Sequence, residues 1–146
     1  MLSRQIGKEE MGISNMRFKN SSIIICLSCL LITALSSCSV SARIKRADKR
    51  FNIGEYYQAA EMYKQVSRQL KGQDKSVRAH VAFQQGECYR ILNNSRAANS
   101  YKSAIRYNYP DSIVYLHYAQ VLHYQGKYSE AAKQYDIYLK SYPDDY

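Results

Sequence analysis

An internal repeat is the feature that most constrains the fold of this chain. A small residue is followed four positions later by an aromatic residue in three places: Ala59 and Tyr63, Ala97 and Tyr101, and Ala131 and Tyr135. Residues four apart share one face of an α-helix, and the copies are 38 and then 34 residues apart. Periods of this length are typical of helical units that stack on one another. The pattern therefore predicts an all-α solenoid.

Composition and helix-ending residues support the same interpretation. The body of the chain has no Trp, two Pro and few β-branched residues, which disfavours β-sheet. Residues that end or block helices stand at regular intervals: Gly54, Asn93 or Asn94, Pro110, Gly126 and Pro143. They divide the body into predicted helices near 42–53, 56–70, 75–92, 95–108, 111–125 and 128–141.

The third unit carries the most complete version of the pattern. The residues that match the pattern are Tyr115, Tyr118, Ala119, Leu122, Gly126, Lys127, Tyr128, Ala131, Tyr135, Tyr138 and Pro143. This unit resembles the tetratricopeptide repeat (TPR), a helix-turn-helix of 34 residues. Weaker copies cover the first two units through Ala47, Gly54, Ala59, Gly86, Tyr89 and Pro110. The resemblance implies a TPR domain over 42–145, with repeats at about 42–71, 75–110 and 111–145.

Residues 1–37 have the organisation of a signal peptide. A positive segment with Arg17 and Lys19 precedes an apolar run from Ile23 to Leu35, which is shorter than the roughly 20 residues that span a bilayer. Acidic residues precede the basic segment near the first Met, so Met16 is the better start of this signal.

The apolar run ends in Leu35-Ser36-Ser37-Cys38. These residues resemble the lipobox of bacterial lipoproteins, an aliphatic residue and two small residues before a cysteine. The resemblance implies cleavage after Ser37 and attachment of a diacylglyceryl group to the Cys38 sulfur, which makes 38–41 a lipidated N-terminus. The alternatives are an uncleaved signal anchor and an ordinary secretory peptide with a chance cysteine.

A narrower resemblance follows from the order of these motifs. The lipobox leads directly into the runs at 47–51 and 54–60, and then into Gly86-Glu87-Cys88-Tyr89-Arg90. This order resembles the N-terminal TPR region of Bacteroidota OmpA-family lipoproteins, which include components associated with type IX secretion and gliding. It implies a periplasm-facing outer-membrane lipoprotein that binds envelope proteins. Because those proteins continue into a peptidoglycan-binding domain, the alternative is the N-terminal fragment of such a peptidoglycan-associated lipoprotein.

The titratable residues form no pattern of a catalytic or metal site. Cys26 and Cys29 have redox-motif spacing but lie in the signal segment, so they are not interpreted as a redox or zinc motif. Cys88 lies in a predicted helix and is interpreted as a packed, inert thiol. The three histidines, His80, His117 and His123, lack metal-ligand spacing and are interpreted as helix-surface residues. We therefore predict no enzyme activity, metal, cofactor or small-molecule substrate. The net charge is +9 for the whole chain, and the charges are spread along the predicted helices with one concentration at 43–50. No nucleic-acid-binding motif accompanies them, so no nucleic-acid partner is expected.

The resemblance to TPR proteins also implies where a partner binds. Their inner surface comes mainly from the first helix of each repeat, which predicts a partner-binding set of Glu87, Arg90, Gln120, His123 and Tyr124. Ile44 and Asp48 occupy two positions at which chaperone-binding TPRs clamp a carboxylate, so a chaperone tail is not the expected ligand. Other tyrosines that fit the core less readily are Tyr107, Tyr109 and Tyr142.

A basic segment follows Cys38 closely and comprises Arg43, Lys45, Arg46, Lys49 and Arg50. Ile44, Ala47 and Phe51 form a narrow apolar stripe among these residues. One interpretation places the basic residues on the solvated back of the first helix. The other places them on the anionic headgroups of the membrane that holds the lipid.

Overall fold

The computed structural model describes residues 40–141, which form six α-helices and contain no strand. The helices are α1 (40–52), α2 (Tyr56–Ser67), α3 (Lys75–Ile91), α4 (Ala97–Arg106), α5 (Ile113–Tyr124) and α6 (Tyr128–Ser141). Each boundary lies within three residues of its prediction, so the all-α prediction is confirmed. The predicted signal peptide, Cys38, Tyr142 and Pro143 lie outside the described residues.

From α2 onward each helix packs on the next, and small residues lie where the helices cross. Ala59 and Ala97 are fully buried and Ala131 is 1 % exposed, because a larger side chain would hold the crossing helices apart. Tyr63 and Tyr101 fill the space beside the first two alanines and are also fully buried. In the first two repeats the pair of a small and an aromatic residue is therefore buried in the core of the stack, as its spacing predicts. In the third repeat Ala131 is buried, whereas Tyr135 is only partly buried.

Four helices end in the same hydrogen-bonded turn. In each turn one residue has a positive φ, and the N–H of the residue that follows it donates to the carbonyl oxygen five residues earlier. This is the Schellman arrangement. At the glycines, φ is 82° for Gly54 and 74° for Gly126. The bonds are Glu55 to Arg50, Asn94 to Tyr89, Tyr109 to Ala104 and Lys127 to Leu122, at 2.8–3.0 Å. Asn93 is the left-handed residue after α3, as predicted, while the same role of Asn108 after α4 was not predicted.

The first helix packs against the core through the predicted apolar stripe. Ile44 and Ala47 are buried, and Phe51 packs edge-on against the ring of Tyr56 with centroids 5.4 Å apart. All five basic residues of the segment are exposed, in agreement with a solvated back of α1. Arg50 pairs with Glu55, and Arg43 donates to Gln69 at 2.9 Å.

The hydropathy of the helices within 40–141 differs from that of membrane spans. No helix in this part of the chain combines the length and the apolar character that a crossing requires.

Candidate functional site

Two clusters of an acid, a tyrosine and a histidine join neighbouring repeats. We call the odd-numbered helices A and the even-numbered helices B. Each cluster has its acid on helix A of one repeat, its tyrosine on helix B of that repeat, and its histidine on helix A of the next repeat. In the first, Asp48 Oδ1 accepts a hydrogen bond from the Tyr63 hydroxyl at 2.5 Å and lies 3.0 Å from His80 Nε2.

The second cluster centres on Glu87, whose side chain is 9 % exposed. Glu87 Oε1 accepts from the Tyr101 hydroxyl at 2.5 Å and lies 2.5 Å from His117 Nδ1. Arg90 donates to the other carboxylate oxygen at 2.7 Å. Burial raises the pKa of Glu87, but hydrogen bonds from His117, Arg90 and Tyr101 outweigh burial and lower this pKa to about 2. The carboxylate is therefore charged at neutral pH and fully engaged inside the stack.

The position of His117 corrects the interpretation of the histidines as surface residues. Its side chain is only 20 % exposed, and its ring lies parallel to that of Phe83 with centroids 6.3 Å apart. His117 is 30 residues from Glu87 in sequence, so no local sequence pattern predicts their contact. His123 is exposed, as predicted, and His80 is 40 % exposed beside Asp48.

Four of the five residues predicted to bind a partner line one groove of about 790 Å³. These are Arg90 from the last turn of α3, and Gln120, His123 and Tyr124 from α5. We call this site the C-terminal groove. Its other walls were not predicted: Ile91, the α3–α4 turn over 93–95, Val121, Gln125 and Tyr135 of α6. Gln125 ties the two sides together, since its amide donates to the Ser95 carbonyl oxygen at 3.1 Å.

The fifth predicted residue, Glu87, does not line this groove. Its buried carboxylate accepts a hydrogen bond from Arg90 Nη2. The Nε of Arg90 is buried without a hydrogen-bond partner. Glu87 is therefore placed to orient Arg90 rather than to present surface to a ligand.

Exposed aromatic rings lie at the C-terminal groove and beside it: Tyr124 lines the groove, whereas Tyr128 does not. Tyr124 is 88 % exposed and the neighbouring Tyr128 is 64 % exposed, although rings of this size are usually covered in a solenoid core. His123 packs edge-on against both, with centroid distances of 6.5 Å to Tyr124 and 5.1 Å to Tyr128. The three rings form a continuous aromatic surface.

Tyr107 and Tyr109, which fit the core pattern less readily, are partly buried and packed against other side chains. Tyr109 stacks on Phe83 with centroids 4.1 Å apart and 12° between the ring planes. Tyr107 lies under the guanidinium groups of Arg78 and Arg106, at 5.7 Å and 5.5 Å from its centroid. Among Tyr107, Tyr109 and Tyr124, only Tyr124 has a ring that is largely exposed.

The only cysteine within residues 40–141 is Cys88. Cys88 is fully buried, and burial raises the pKa of its thiol to about 12, which confirms the packed, unreactive thiol. Within this part of the chain, no three His, Cys, Asp or Glu side chains are placed to share a metal ion.

Comparison with known proteins identifies the fold. No protein-family model matches the chain, and no curated protein matches it. Among solved structures, the first TPR of Spaghetti (RPAP3), bound to the HSP90 peptide SRMEEVD, is 18 % identical with a TM-score of 0.61, over 73 % of this chain and 82 % of that one. The second TPR of the same protein, bound to the same peptide, is 18 % identical with a TM-score of 0.58, over 68 % of this chain and 89 % of that one. The chain therefore folds as a TPR-type solenoid of about three helix-turn-helix repeats.

Proposed function

We propose that this chain is a non-catalytic protein-binding scaffold whose C-terminal groove receives an extended segment of a partner protein. The observation that carries the proposal is Tyr124, an almost fully exposed ring at the rim of a groove that also contains Arg90. Tyr and Arg are the residue types that most often dominate binding energy at protein interfaces. A tyrosine also offers a large contact area while losing little conformational entropy.

The chemistry of the groove suits a peptide backbone. Asn93, Asn94 and Gln120 supply side-chain amides that both donate and accept, which is what an extended chain with unpaired N–H and C=O groups requires. No carboxylate lines the groove in the described part of the chain. Peptides bound to the two RPAP3 domains are the precedent for this type of ligand on this fold.

The residues at the clamp positions disfavour the C-terminal tail of a chaperone as the ligand. Two of the positions at which chaperone-binding TPRs clamp a terminal carboxylate hold Ile44, which is buried, and Asp48, which is engaged with Tyr63 and His80. An apolar residue and an acid do not attract a carboxylate. We therefore infer that the partner is a protein other than a chaperone, and we take it to be a component of the bacterial envelope.

The proposed location is the outer membrane, with Cys38 as the lipid anchor and the repeats facing the periplasm. The lipobox at 35–38 supports this proposal, as does the order of the motifs that follow it. A role in outer-membrane or secretion-machine assembly is the function we favour. The second candidate, a fragment of a peptidoglycan-associated OmpA-family lipoprotein of Bacteroidota, has the same N-terminal motifs in its favour.

The exposed basic face of α1 fits a position next to the membrane. Lys45 and Lys49 point into solvent, and each basic residue near an anionic surface contributes about 1 kcal/mol of attraction. That contact stays a prediction, and it would orient the repeats relative to the anchor.

Replacement of the anchor cysteine has the clearest expected result for localisation. In Cys38→Ala the acyl groups cannot be attached, so the mass of the mature protein falls and the protein leaves the membrane fraction. Mass spectrometry and membrane fractionation measure the two effects. The control is Ser41→Ala, an exposed position three residues on, which should stay with the membrane. A Cys38→Ala protein bound as firmly as wild type would show that lipid is not the anchor.

Truncation of Tyr124 tests the binding function. Affinity purification of Tyr124→Ala from a crosslinked envelope should recover about thirtyfold less partner, because truncation of a tyrosine that dominates an interface costs about 2 kcal/mol. The matched control is Tyr57→Ala, since Tyr57 is 68 % exposed on α2 and does not line the groove. Equal recovery with Tyr124→Ala and Tyr57→Ala would contradict the assignment of the groove.

A further inference from the structure

A second groove, of about 700 Å³, runs between α2 and α4 and has α3 as its floor. The α3 residues that line it include Arg78, Ala82, Gln85 and Tyr89, whose spacing of three and four places them on one face of the helix. Glu87 lies on the opposite face of α3, roughly half a turn away at about 100° per residue. This groove is therefore separate from the repeat clusters, and none of its lining residues lines the C-terminal groove.

All charged side chains that line this groove are basic: Lys64, Arg68, Lys71, Arg78 and Arg96. We call it the basic groove. Lys64 is neutralised by Glu61 of the same helix, with 3.1 Å between Nζ and Oε2. The other four have no carboxylate partner among residues 40–141. A concave surface lined by one sign of charge concentrates the field and attracts ligands of the opposite sign.

Arg78 is the most constrained of these cations. Its guanidinium lies over the Tyr107 ring, and its Nε is buried without a hydrogen-bond acceptor. A stacked arginine keeps the donors on its outer edge free for a carboxylate, and its planar group loses little freedom when that bond forms. The site is thus partly arranged before a ligand arrives.

The geometry points to an acidic, extended segment of a second partner protein as the occupant of the basic groove. Carboxylates of such a segment pair with Arg68, Arg78 and Arg96, while its backbone meets the side-chain amides of Gln85 and Asn99. Bases of a single-stranded nucleic acid need open aromatic faces on which to stack. Tyr107, however, already has guanidinium groups over its ring, and Tyr89 is 5 % exposed. The groove therefore fits an acidic peptide better than it fits RNA.

The test measures fluorescence anisotropy of a labelled peptide of alternating Glu and Ala, with the full chain as the binder. We expect saturable binding that weakens as salt is raised, and no saturable binding of the same peptide with Gln in place of Glu. The variant Arg68→Glu/Arg96→Glu should bind about tenfold more weakly, which corresponds to about 1.4 kcal/mol. Both positions are exposed, and an unchanged circular dichroism spectrum and melting midpoint confirm that the variant is folded.

The matched control is Lys102→Glu/Lys133→Glu, which changes the net charge equally at exposed positions outside the groove. It should keep wild-type affinity to within about twofold, because surface charges that do not contact the ligand act weakly. Neutralisation of one charge in Arg96→Gln should weaken peptide binding by a smaller factor than the double charge reversal in Arg68→Glu/Arg96→Glu. Tyr124→Ala should leave acidic-peptide binding unchanged, so failure of this proposal is distinguishable from failure of the C-terminal groove.

Two results would overturn the assignment. Equal weakening in the groove variant and the control variant would show diffuse attraction to a basic protein rather than a site. Tighter binding of single-stranded RNA or of phosphatidylglycerol vesicles than of the peptide, lost in the groove variant and kept in the control, would assign the groove to that ligand instead.

Discussion

Replacement of Glu87 by alanine is expected to lower the free energy of unfolding by about 3–5 kcal/mol. The truncation removes the acceptor of the Tyr101 hydroxyl and of Arg90, and it leaves the Arg90 charge without its partner. It also disconnects His117, and with it the link from the second repeat to the third. Denaturant unfolding monitored by circular dichroism measures the loss.

The matched control is Glu61→Ala, which removes an acid of a surface ion pair with Lys64. Exposed pairs contribute about 0–1 kcal/mol, so this variant should remain close to wild type. A loss in Glu87→Ala no larger than that in Glu61→Ala would mean that the cluster does not join the repeats.

The same cluster predicts how stability depends on pH. The pKa of Glu87 is about 2 in the folded chain, below the value of about 4.3 for an unperturbed Glu. A depressed folded pKa stabilises the fold at pH values above the unfolded pKa, and this contribution disappears as pH falls toward the folded pKa. Wild type should therefore lose about 3 kcal/mol from this group between about pH 5 and pH 2.

Glu87→Gln has no titrating group at this position and should lose correspondingly less stability in that window. It should start from a lower stability at neutral pH, since a neutral amide is a weaker acceptor for Arg90. Parallel curves for wild type and Glu87→Gln would contradict the depressed pKa.

The second large effect is expected at Gly86 of α3. A Cβ at this position would lie 2.8 Å from the Tyr101 ring, which is fully buried and held by its hydrogen bond to Glu87. The ring cannot move aside without breaking that bond, so Gly86→Val should destabilise the chain by about 3 kcal/mol. Thermal or denaturant unfolding checks the prediction.

The control for Gly86→Val is Ala132→Val, at an exposed position of α6. It introduces the same β-branched side chain into a helix without a buried neighbour, and the expected cost is only the difference in helix propensity, about 0.5 kcal/mol. Similar losses in both variants would show that propensity, rather than the approach of α4 to α3, sets the requirement for glycine.

The parts of the fold that follow from local physics were predictable. The four-residue spacing of alanine and tyrosine identified helices and their crossings, because that spacing is itself a property of one helix face. Gly54 and Gly126 marked helix ends because glycine accepts a positive φ without strain. Asn108 was missed, since asparagine fits both turns and exposed helix positions and its sequence neighbours do not decide between them.

The contacts between repeats were not predictable in the same way. Glu87 and His117 are 30 residues apart, and each alone has the appearance of a solvated residue on a helix. Tyr109 was expected to be less buried, but its backbone is positioned by the turn after α4 and its ring stacks on Phe83 of a different helix. Burial of such residues depends on how the helices stack, which no single segment of sequence encodes.

The candidate site was predictable in part for the same reason. Arg90, Gln120, His123 and Tyr124 were identified because the repeat pattern fixes which face of helix A is presented. Asn93, Asn94 and Ser95 were missed because they reach the groove only when the α3–α4 turn lies beside the end of α5. Their contribution depends on tertiary packing rather than on periodicity.

Site-specific photocrosslinking in intact cells tests the central claim most directly, since it reports which surface of the scaffold touches a partner. A photoreactive amino acid at position 124 of the full chain should yield a discrete crosslinked product. The same group at position 133, exposed on α6 outside the groove, should yield none. Equal crosslinking from both positions, or a product from position 133 alone, would contradict a partner-binding C-terminal groove.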